Sequence, residues 1–451
     1  MTWAIKEISG FHKACYRMKK NSLATTQWMC KKLETELQAN PKMPVYSMAQ
    51  TLMKNFGIEV SRRTMYKVRD LACVQIYGGH ETSYNVLAAY GEMIKKTNPG
   101  SWALITWHSP QNDNAIHFKG MFVSFNAWII GFLKGCRPIT GVDGCHLKGR
   151  YKGMLLSAMS LDGNNNLYCI AYAIVGKENT ETWTYFFRNL RLAFEQHECV
   201  KWDWTFISDR MKGVDKALEK EFPRATRRVC AQHLYSNFKE KWSGPLYHDL
   251  FWTAANAKSA YVYNKALDKM AQMSPASVRY LQNVQQQWSL HTFDPEVACI
   301  HNTSNFVESF NALINGLREL PVMSLMEGIR TYYMAMFSER MELADKIELT
   351  DPTPYAKYVL EVNCLDSRYC TVIKAGGGEF EVREGTTVFP VDINNGVCLC
   401  GECKAAGIPC KYACRSIYHN KEEPVHYIHG FFLGHCYKLT YVEHMHPLPD
   451  K

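Results

Sequence analysis

The stretch RPITGVDGCHLKG, residues 137–149, places one carboxylate, Asp143, after a short β-type run and directly before Gly144. A carboxylate at the end of a strand, beside a glycine that lets a backbone or a phosphate come close, is a common way to present a hard oxygen ligand. Asp-Gly is also a turn dipeptide, so this stretch indicates a site only together with others. Two later stretches supply further carboxylates: FISDRMKG at residues 206–213 and NFVESFN at residues 305–311.

The segments that follow Asp143 predict an α/β domain. Two apolar strands, at 153–161 and 167–175, are joined by a turn. A helix, a strand, a helix and a strand then follow at 180–195, 204–207, 212–222 and 225–229. A three-stranded meander followed by this alternation is the order of a ribonuclease-H-like fold. In that order Asp143 and Asp209 end neighbouring strands, so two carboxylates distant in sequence are able to share a divalent ion.

Composition predicts an intracellular globular protein of two to four domains. The chain has 451 residues, 47% hydrophobic and 21% charged. Residues 1–10 lack the apolar segment of a secretory signal, and the most apolar stretch, 121–133, is too short to span a bilayer. No membrane association is therefore expected. The seventeen cysteines are sparse and odd in number, which favours reduced or metal-bound thiols.

The positive charge is concentrated in the N-terminal region. Residues 1–70 contain thirteen Lys and Arg against five Asp and Glu, in a chain whose net charge is +9. Helices are expected at 24–37 and 46–55, and a third begins after Ser61. A short glycine turn before a basic helix is compatible with a helix-turn-helix unit that binds DNA, and a plain three-helix packing unit is the alternative. The candidate DNA-binding residues are Arg62, Arg63, Lys67 and Arg69.

Four motifs in the centre of the chain carry a family resemblance. GVDGCHLKGRYKG, SDRMKG, CAQHLYSNF and NFVESFNALI together resemble the catalytic core of plant Mutator-like element (MULE, MuDR) transposases, over about residues 130–320. SLATTQWMCKKL and SRRTMYKVR are similar to the region upstream of that core. Near the C-terminus, CLCGECKAAGIPCKYAC resembles a SWIM-type zinc finger. The motifs occur in the family's order.

The resemblance implies a DDE-type active site that cleaves and transfers DNA strands at transposon ends. Asp143, Asp209 and Glu308 would bind two Mg²⁺ (or Mn²⁺) ions. The implied partners are the terminal inverted repeats and target DNA, together with further copies of the chain in a homo-oligomer. A DNA substrate implies a location in the nucleus. Cys230 and His233 match the family's C-x-x-H element and are expected to orient groups beside the carboxylates, since no second pair completes a zinc site.

The SWIM-type segment implies a structural Zn²⁺ ion. Cys398, Cys400 and Cys410 supply three thiolates at the family's spacing, but Tyr412 stands where the family has histidine. Tyrosine is a poor zinc ligand, so another residue is needed to complete a tetrahedral site. The candidates, in order of preference, are Cys414, Cys403 and His419.

The predicted fold class is α/β: a ribonuclease-H-like (DDE transposase) core with an all-helical insertion, a helical basic N-terminal region and a small C-terminal zinc-finger module. The expected regions are a truncated basic DNA-binding-like region (1–77), a lead-in (78–136), the first part of the core (137–235), the helical insertion (236–303), the core helix with the last acidic residue (304–346), the zinc-finger region (347–420) and a tail (421–451).

Three alternatives to an active transposase follow from the same residues. If the acidic triad no longer works, the chain is either a domesticated, non-catalytic DNA-binding transcription regulator or an inactive element copy. Intact Asp143, Asp209 and Glu308 favour the enzyme, whereas Tyr412 and the truncated N-terminal region favour the other two. A stand-alone nuclease is the third alternative, and the helical insertion and zinc finger argue against it.

Overall fold

The computed structural model describes residues 21–40, 43–109, 116–198, 203–209 and 212–449. Residues 1–10, where a signal peptide was not expected, lie outside these ranges. The chain divides into two compact units: residues 1–85 with 320–325, and residues 86–319 with 326–451. Within the part of the chain that the structure describes, no helix is both long and apolar enough to cross a membrane.

The first unit is helical. Met29, Leu33, Met48, Leu52 and Met65 contribute to a hydrophobic core of its own. Its helices are α1 (Thr26–Lys32), α2 (Glu34–Ala39), α3 (Val45–Phe56), α4 (Arg62–Tyr77) and α5 (Thr82–Asn85).

Two local features set the ends of these helices. Gly57 ends α3 in the left-handed conformation, at φ 67°, which glycine adopts without steric cost. Ser61 Oγ accepts a hydrogen bond from the backbone N–H of Thr64 at 3.2 Å and so caps α4. The single helix expected over 24–37 is wrong, because the chain leaves the helical conformation at Leu33 and forms α1 and α2.

A seven-stranded mixed sheet forms the centre of the second unit, with strand order β1-β2-β5-β4-β3-β6-β7. The strands β3, β6 and β7 pair in parallel, and all other neighbours in the sheet are antiparallel. The α/β class is thus confirmed. The strands are β1 (Trp102–His108), β2 (His117–Ser124), β3 (Ile139–His146), β4 (Met154–Leu161), β5 (Leu167–Val175), β6 (Thr205–Ser208) and β7 (Thr226–Val229).

Helices cover this sheet and continue the chain beyond it. Trp183, Phe186, Phe187 and Leu190 of α8 are fully buried, as the apolar spacing of this amphipathic helix requires. The helices of this part are α6 (Leu87–Thr97), α7 (Asn126–Gly135), α8 (Thr180–Glu195), α9 (Lys212–Glu221), α10 (Ala231–Phe238), α11 (Pro245–Ala255), α12 (Ala260–Met273), α13 (Pro275–Gln282), α14 (Asn305–Leu313), α15 (Val322–Asp345) and α16 (Pro354–Asp366).

The helices between β7 and α14 have an aromatic core of their own. Trp288 is buried and stacks on Phe251, with ring centroids 5.4 Å apart. Trp242 and Trp252 pack against the same cluster. Trp288 is buried and Trp242 and Trp252 are half-buried, and all three pack in this core.

The C-terminal part contains a second, antiparallel sheet of order β11-β10-β9-β8. Phe380, Val382 and Val391 point from it into a cluster that includes Cys398 and Cys410. The elements are β8 (Thr371–Gly376), β9 (Glu379–Glu384), β10 (Thr387–Asp392), β11 (Val397–Cys398), α17 (Glu402–Ala406), α18 (Lys411–His419) and α19 (Gly434–Thr440).

Glycines allow two close contacts that shape the second unit. A Cβ atom on Gly141 of β3 would lie 2.3 Å from Val307 Cγ2 and 2.5 Å from the Phe306 ring, so α14 packs directly on the strand. A Cβ atom on Gly131 of α7 would lie 2.1 Å from the carbonyl oxygen of Thr440, so α19 packs directly on that helix. Only glycine permits such approaches.

The contact at Gly141 predicts that Gly141→Ala destabilises the protein by about 1–3 kcal/mol, because an added methyl group must displace α14 from β3. Thermal unfolding followed by circular dichroism should show a lower Tm. Gly176→Ala is the matched control, since a Cβ atom there meets nothing within 4 Å. Equal Tm values for the two variants would contradict the close packing of α14 on β3.

Candidate active site and metal centre

Four strands of the large sheet end at the same edge. β3 and β5 are both antiparallel to β4 and therefore run in the same direction, and β6 and β7 are parallel to β3. The carboxyl ends of all four strands consequently meet at one edge, where α/β proteins commonly bind their ligands. This edge gathers Asp143 of β3, Glu178 after β5, Asp209 after β6 and Cys230 after β7.

The parallel pairing of β3 with β6 places the two aspartates side by side. Gly141 is paired with Ile207, and Asp143 and Asp209 each lie two residues further along their strands. The sequence predicted Asp143 at the end of its strand, but β3 continues to His146. Asp143 is thus fixed within the strand, whereas Asp209 follows the last residue of β6.

Asp143 is held by α14. Its Oδ2 atom accepts a hydrogen bond of 2.6 Å from the side-chain amide of Asn311. Asn311 lies one helical turn beyond Glu308, whose exposed carboxylate accepts a 3.5 Å hydrogen bond from Ser304 Oγ. The same helix therefore carries one acidic residue and anchors another.

Burial raises the pKa of the Asp143 carboxyl to about 6. A backbone hydrogen bond from Gly144 opposes this rise. Three neighbouring carboxylates add to it: Asp209, Glu178 and Glu308. We call Asp143 and the three carboxylates whose charges act on it the acidic cluster of this edge.

Cys230 and His233 lie beside this cluster. The Cys230 backbone N–H donates to the Ser208 carbonyl at 2.8 Å, and the Cys230 sulfur accepts from the backbone N–H of Ser304 at 3.3 Å. Cys230 thereby links the end of β6 to the start of α14. The pKa of His233 is raised to about 9, mainly by a hydrogen bond with the Cys230 side chain. Burial opposes the rise, and the charges of Cys230, Asp209 and Glu308 contribute to it.

The acidic cluster is chemically suited to a divalent cation. Carboxylate oxygens are the ligands that Mg²⁺ and Mn²⁺ prefer. Among the residues that the structure describes, no lysine or arginine forms an ion pair with Asp143, Glu178 or Glu308. The cluster is looser than a closed site: within the same residues, three metal-ligating side chains come within 4.8 Å of one another only at a cysteine group.

That cysteine group consists of Cys398, Cys400 and Cys410. The Sγ atoms of Cys400 and Cys410 are 3.5 Å apart, close to the roughly 3.8 Å that tetrahedral Zn–S bonds of about 2.3 Å would give. A fourth thiol, that of Cys403, lies beside this group. Hydrogen bonds with Cys398, Cys403 and Cys410 lower the pKa of Cys400, and the Cys403 sulfur accepts from the backbone N–H of Cys410 at 3.1 Å.

The other candidates for the fourth zinc ligand are engaged elsewhere. Cys414, the residue preferred from the sequence, donates its S–H to the Pro409 carbonyl at 3.6 Å and interacts with Cys364. His419 packs edge-on against Phe380. The Tyr412 hydroxyl donates to Glu384 at 2.6 Å, and the Tyr412 ring stacks on Phe389 at 4.0 Å. The structure thus places Cys403, and not Cys414, beside the three predicted thiolates.

The predicted DNA-binding residues lie on α4 in the first unit. Arg62, Arg63 and Lys67 are exposed, and Arg69 is half-buried. The Arg62 and Arg69 guanidinium groups lie 5.8 and 5.1 Å from the Tyr66 ring centroid. The opposite face of α4 buries Met65, Val68 and Ala72, so that face, and not the basic one, packs against the core.

Sequence reasoning missed Glu178 and Asn311 at the acidic edge. Asn311 was visible as the last residue of NFVESFN, one turn after Glu308. Glu178 belongs to no quoted motif. Only its position indicates it. Glu178 follows the predicted strand β5, and in a meander the carboxyl end of β5 lies at the same edge as the ends of β3 and β6.

The raised pKa of Asp143 predicts that, without divalent ions, stability falls as the pH rises from about 4 to about 6. In that window the folded state binds more protons than the unfolded chain, because the folded pKa of about 6 exceeds the ordinary 3.8. The full effect is up to about 3 kcal/mol. In measurements of Tm against pH, Asp143→Asn should have a higher Tm than wild type at pH 7 but not at pH 4.

The control for this comparison is Asp203→Asn, which removes an exposed carboxylate paired with Arg224. Its Tm difference from wild type should show no such increase between pH 4 and pH 7. If the curves of wild type and Asp143→Asn run parallel, Asp143 does not carry the raised pKa.

The geometry of the cysteine group predicts that Cys403→Ser weakens zinc binding by at least about tenfold, because a lost ligand costs no less than a lost outer-shell partner. Cys414→Ser should leave zinc binding unchanged. Both variants are measured by competition with a chromogenic zinc chelator and by the metal content of the purified protein. The reverse order of effects would restore Cys414 as the fourth ligand.

Comparison with known proteins gives one family match. No curated protein matches the chain. Residues 139–237 match the family model of the MULE transposase domain. This segment starts with β3 and contains Asp143, Glu178, Asp209, Cys230 and His233. Glu308 and the cysteine group lie beyond it. The matched segment includes two of the three predicted acidic residues, and the match supports a transposase-type function.

Proposed function

We propose that this protein is a Mutator-like transposase of the plant type, with a ribonuclease-H-like core that cleaves DNA at transposon ends and transfers the strands to target DNA. The observation that carries the proposal is the pairing of β3 with β6, which brings Asp143 beside Asp209 within a segment that matches the MULE transposase domain. α14 adds Glu308 from outside that segment and is anchored on Asp143 through Asn311.

In this proposal Asp143, Asp209 and Glu308 hold divalent ions. Bound there, Mg²⁺ or Mn²⁺ would activate the attacking water or 3′-hydroxyl and stabilise the leaving oxygen. The Asn311 amide fixes the Asp143 carboxylate in one orientation. His233, with a pKa of about 9, stays protonated at neutral pH and offsets part of the negative charge of Asp209 and Glu308.

The remaining parts of the chain have roles in DNA recognition and in stability. The basic face of α4, with Arg62, Arg63, Lys67 and Arg69, is suited to phosphate contacts. The four cysteines at 398, 400, 403 and 410 hold a structural Zn²⁺ ion. The partners are the terminal inverted repeats, target DNA and further copies of this chain, and the location is the nucleus.

A second candidate function is DNA binding without catalysis, in a domesticated regulator or an inactive element copy. The observation that favours it is the looseness of the acidic cluster, whose ligand atoms do not all come within 4.8 Å of one another. Tyr412, which replaces the family's histidine and bonds Glu384, also departs from the active pattern. Both candidates predict DNA binding, and only the first predicts metal-dependent cleavage.

The proposal predicts that Asp209→Asn and Glu308→Gln each reduce Mg²⁺- or Mn²⁺-dependent cleavage of DNA with the matching inverted repeats by at least about 100-fold, since metal ligands matter at least as much as their outer-shell partners. Glu339→Gln is the matched control for Glu308, because both are exposed glutamates on helices. Cleavage is followed on end-labelled DNA, and DNA binding by fluorescence anisotropy.

Wild-type cleavage that both acidic substitutions abolish and Glu339→Gln preserves would support the enzyme. Specific binding without cleavage by wild type would instead support the regulator. Cleavage that persists in Asp209→Asn would contradict the assignment of the acidic site.

A further inference from the structure

We propose that Glu178 is a fourth acidic residue of the active site and helps to hold the divalent ion from the opposite face of β3. This inference rests on the proposed function, since it adds a ligand to the site formed by Asp143, Asp209 and Glu308. It concerns a residue outside the predicted triad.

The backbone at Glu178 is fixed at the acidic edge. The residue lies three positions after the end of β5 and directly before Asn179, the N-cap of α8. The Asn179 side chain accepts a 2.9 Å hydrogen bond from the backbone N–H of Thr182. In return, the Thr182 hydroxyl accepts a hydrogen bond from the backbone N–H of Asn179. This capping box holds the start of α8 in one geometry, and Glu178 with it.

The Glu178 side chain is directed at β3. Its Oε1 atom accepts a 3.0 Å hydrogen bond from the Trp183 indole N–H, and Trp183 is fully buried. A Cβ atom on Gly144 would lie 2.9 Å from Oε1 and 3.0 Å from Oε2. The carboxylate therefore occupies the space that a side chain at position 144 would fill.

Asp143 and Gly144 are consecutive strand residues, so their side-chain directions point to opposite faces of the sheet. α14 approaches the face of Gly141 and Asp143, whereas Glu178 approaches the face of Gly144. The edge between β3 and β6 thus has carboxylates on both faces. In the proposed site, groups from α14 on one face and Glu178 on the other would hold a cation at this edge.

The charge environment agrees with this placement. Burial raises the pKa of Glu178, and the charge of Asp209 adds to the rise. The Trp183 hydrogen bond and the charge of His146 oppose it. Within the described residues, the indole of Trp183 is the hydrogen-bond donor to this carboxylate, and it occupies only Oε1. If Glu178 only packed against Trp183, one acceptor oxygen would be enough, and a glutamine at this position would provide it equally well. The second oxygen and the negative charge are what a cation would use.

The test is Mn²⁺ binding to the full-length, zinc-loaded protein, measured by isothermal titration calorimetry and by the electron paramagnetic resonance signal of free Mn²⁺. The variants are Glu178→Gln, Asp209→Asn and the control Glu181→Gln. Glu181 lies three residues away and pairs with Lys119 at the surface, 2.9 Å away. Glu178→Gln keeps an oxygen for the Trp183 hydrogen bond, and an unchanged Tm verifies its fold.

We expect Glu178→Gln to weaken Mn²⁺ binding by at least about tenfold, and Glu181→Gln to leave it unchanged. Gly144→Ala, which displaces the Glu178 carboxylate without removing a charge, should also weaken it. If Asp209→Asn loses Mn²⁺ while Glu178→Gln binds like wild type, Glu178 is not a ligand and the inference is overturned, with the proposed site intact. If Asp209→Asn also binds like wild type, the proposed metal site itself fails, and the inference fails with it.

Discussion

The parallel pairing of β3 with β6 is the interaction on which the candidate site depends. It joins a segment at residues 139–146 to one at residues 205–208 and brings Asp143 beside Asp209. The two carboxylates come from segments distant in sequence, and the strand pairing brings them together. Backbone hydrogen bonds therefore define the spacing of the acidic edge, and the side chains of the flanking helices complete it.

Close packing at glycines brings those helices into place. Gly141 lets α14 lie directly on β3, and Gly144 leaves room for the Glu178 carboxylate on the other face. The same helix that carries Glu308 donates a hydrogen bond to Asp143 through Asn311. Cys230 links Ser208, the last residue of β6, to Ser304, the N-cap of α14. The acidic edge thus gathers several carboxylates whose mutual repulsion a cation would reduce.

Much of the fold was predictable because its signals are local. The alternation of apolar strands and amphipathic helices gave the order of β3 to β7, and with it the neighbouring positions of Asp143 and Asp209. Ser61 and Gly57 marked helix ends through their capping chemistry. Other features depend on pairings that a single stretch does not encode. β1 and β2 extend the same sheet through contacts with β5, and the break at Leu33 interrupts a pattern that is helical on both sides.

In the site, too, some residues were predictable from local motifs and others depend on long-range strand pairing. The quoted motifs contained Asp143, Asp209 and Glu308, but Glu178 is visible only once the directions of β5 and β3 are known. Spacing alone ranked Cys414 above Cys403. The structure separates them because Cys410 caps α18, which directs Cys414, one turn later, toward Cys364, while the turn before α17 brings Cys403 to the other thiols.

The central claim is that one divalent-cation site lies at the edge formed by β3 and β6. The most direct measurement is an anomalous difference map from crystals of the protein grown with Mn²⁺. The account predicts a peak about 2.1 Å from carboxylate oxygens of both Asp143 and Asp209. A map in which Mn²⁺ binds elsewhere, with these two carboxylates free of metal, would contradict it.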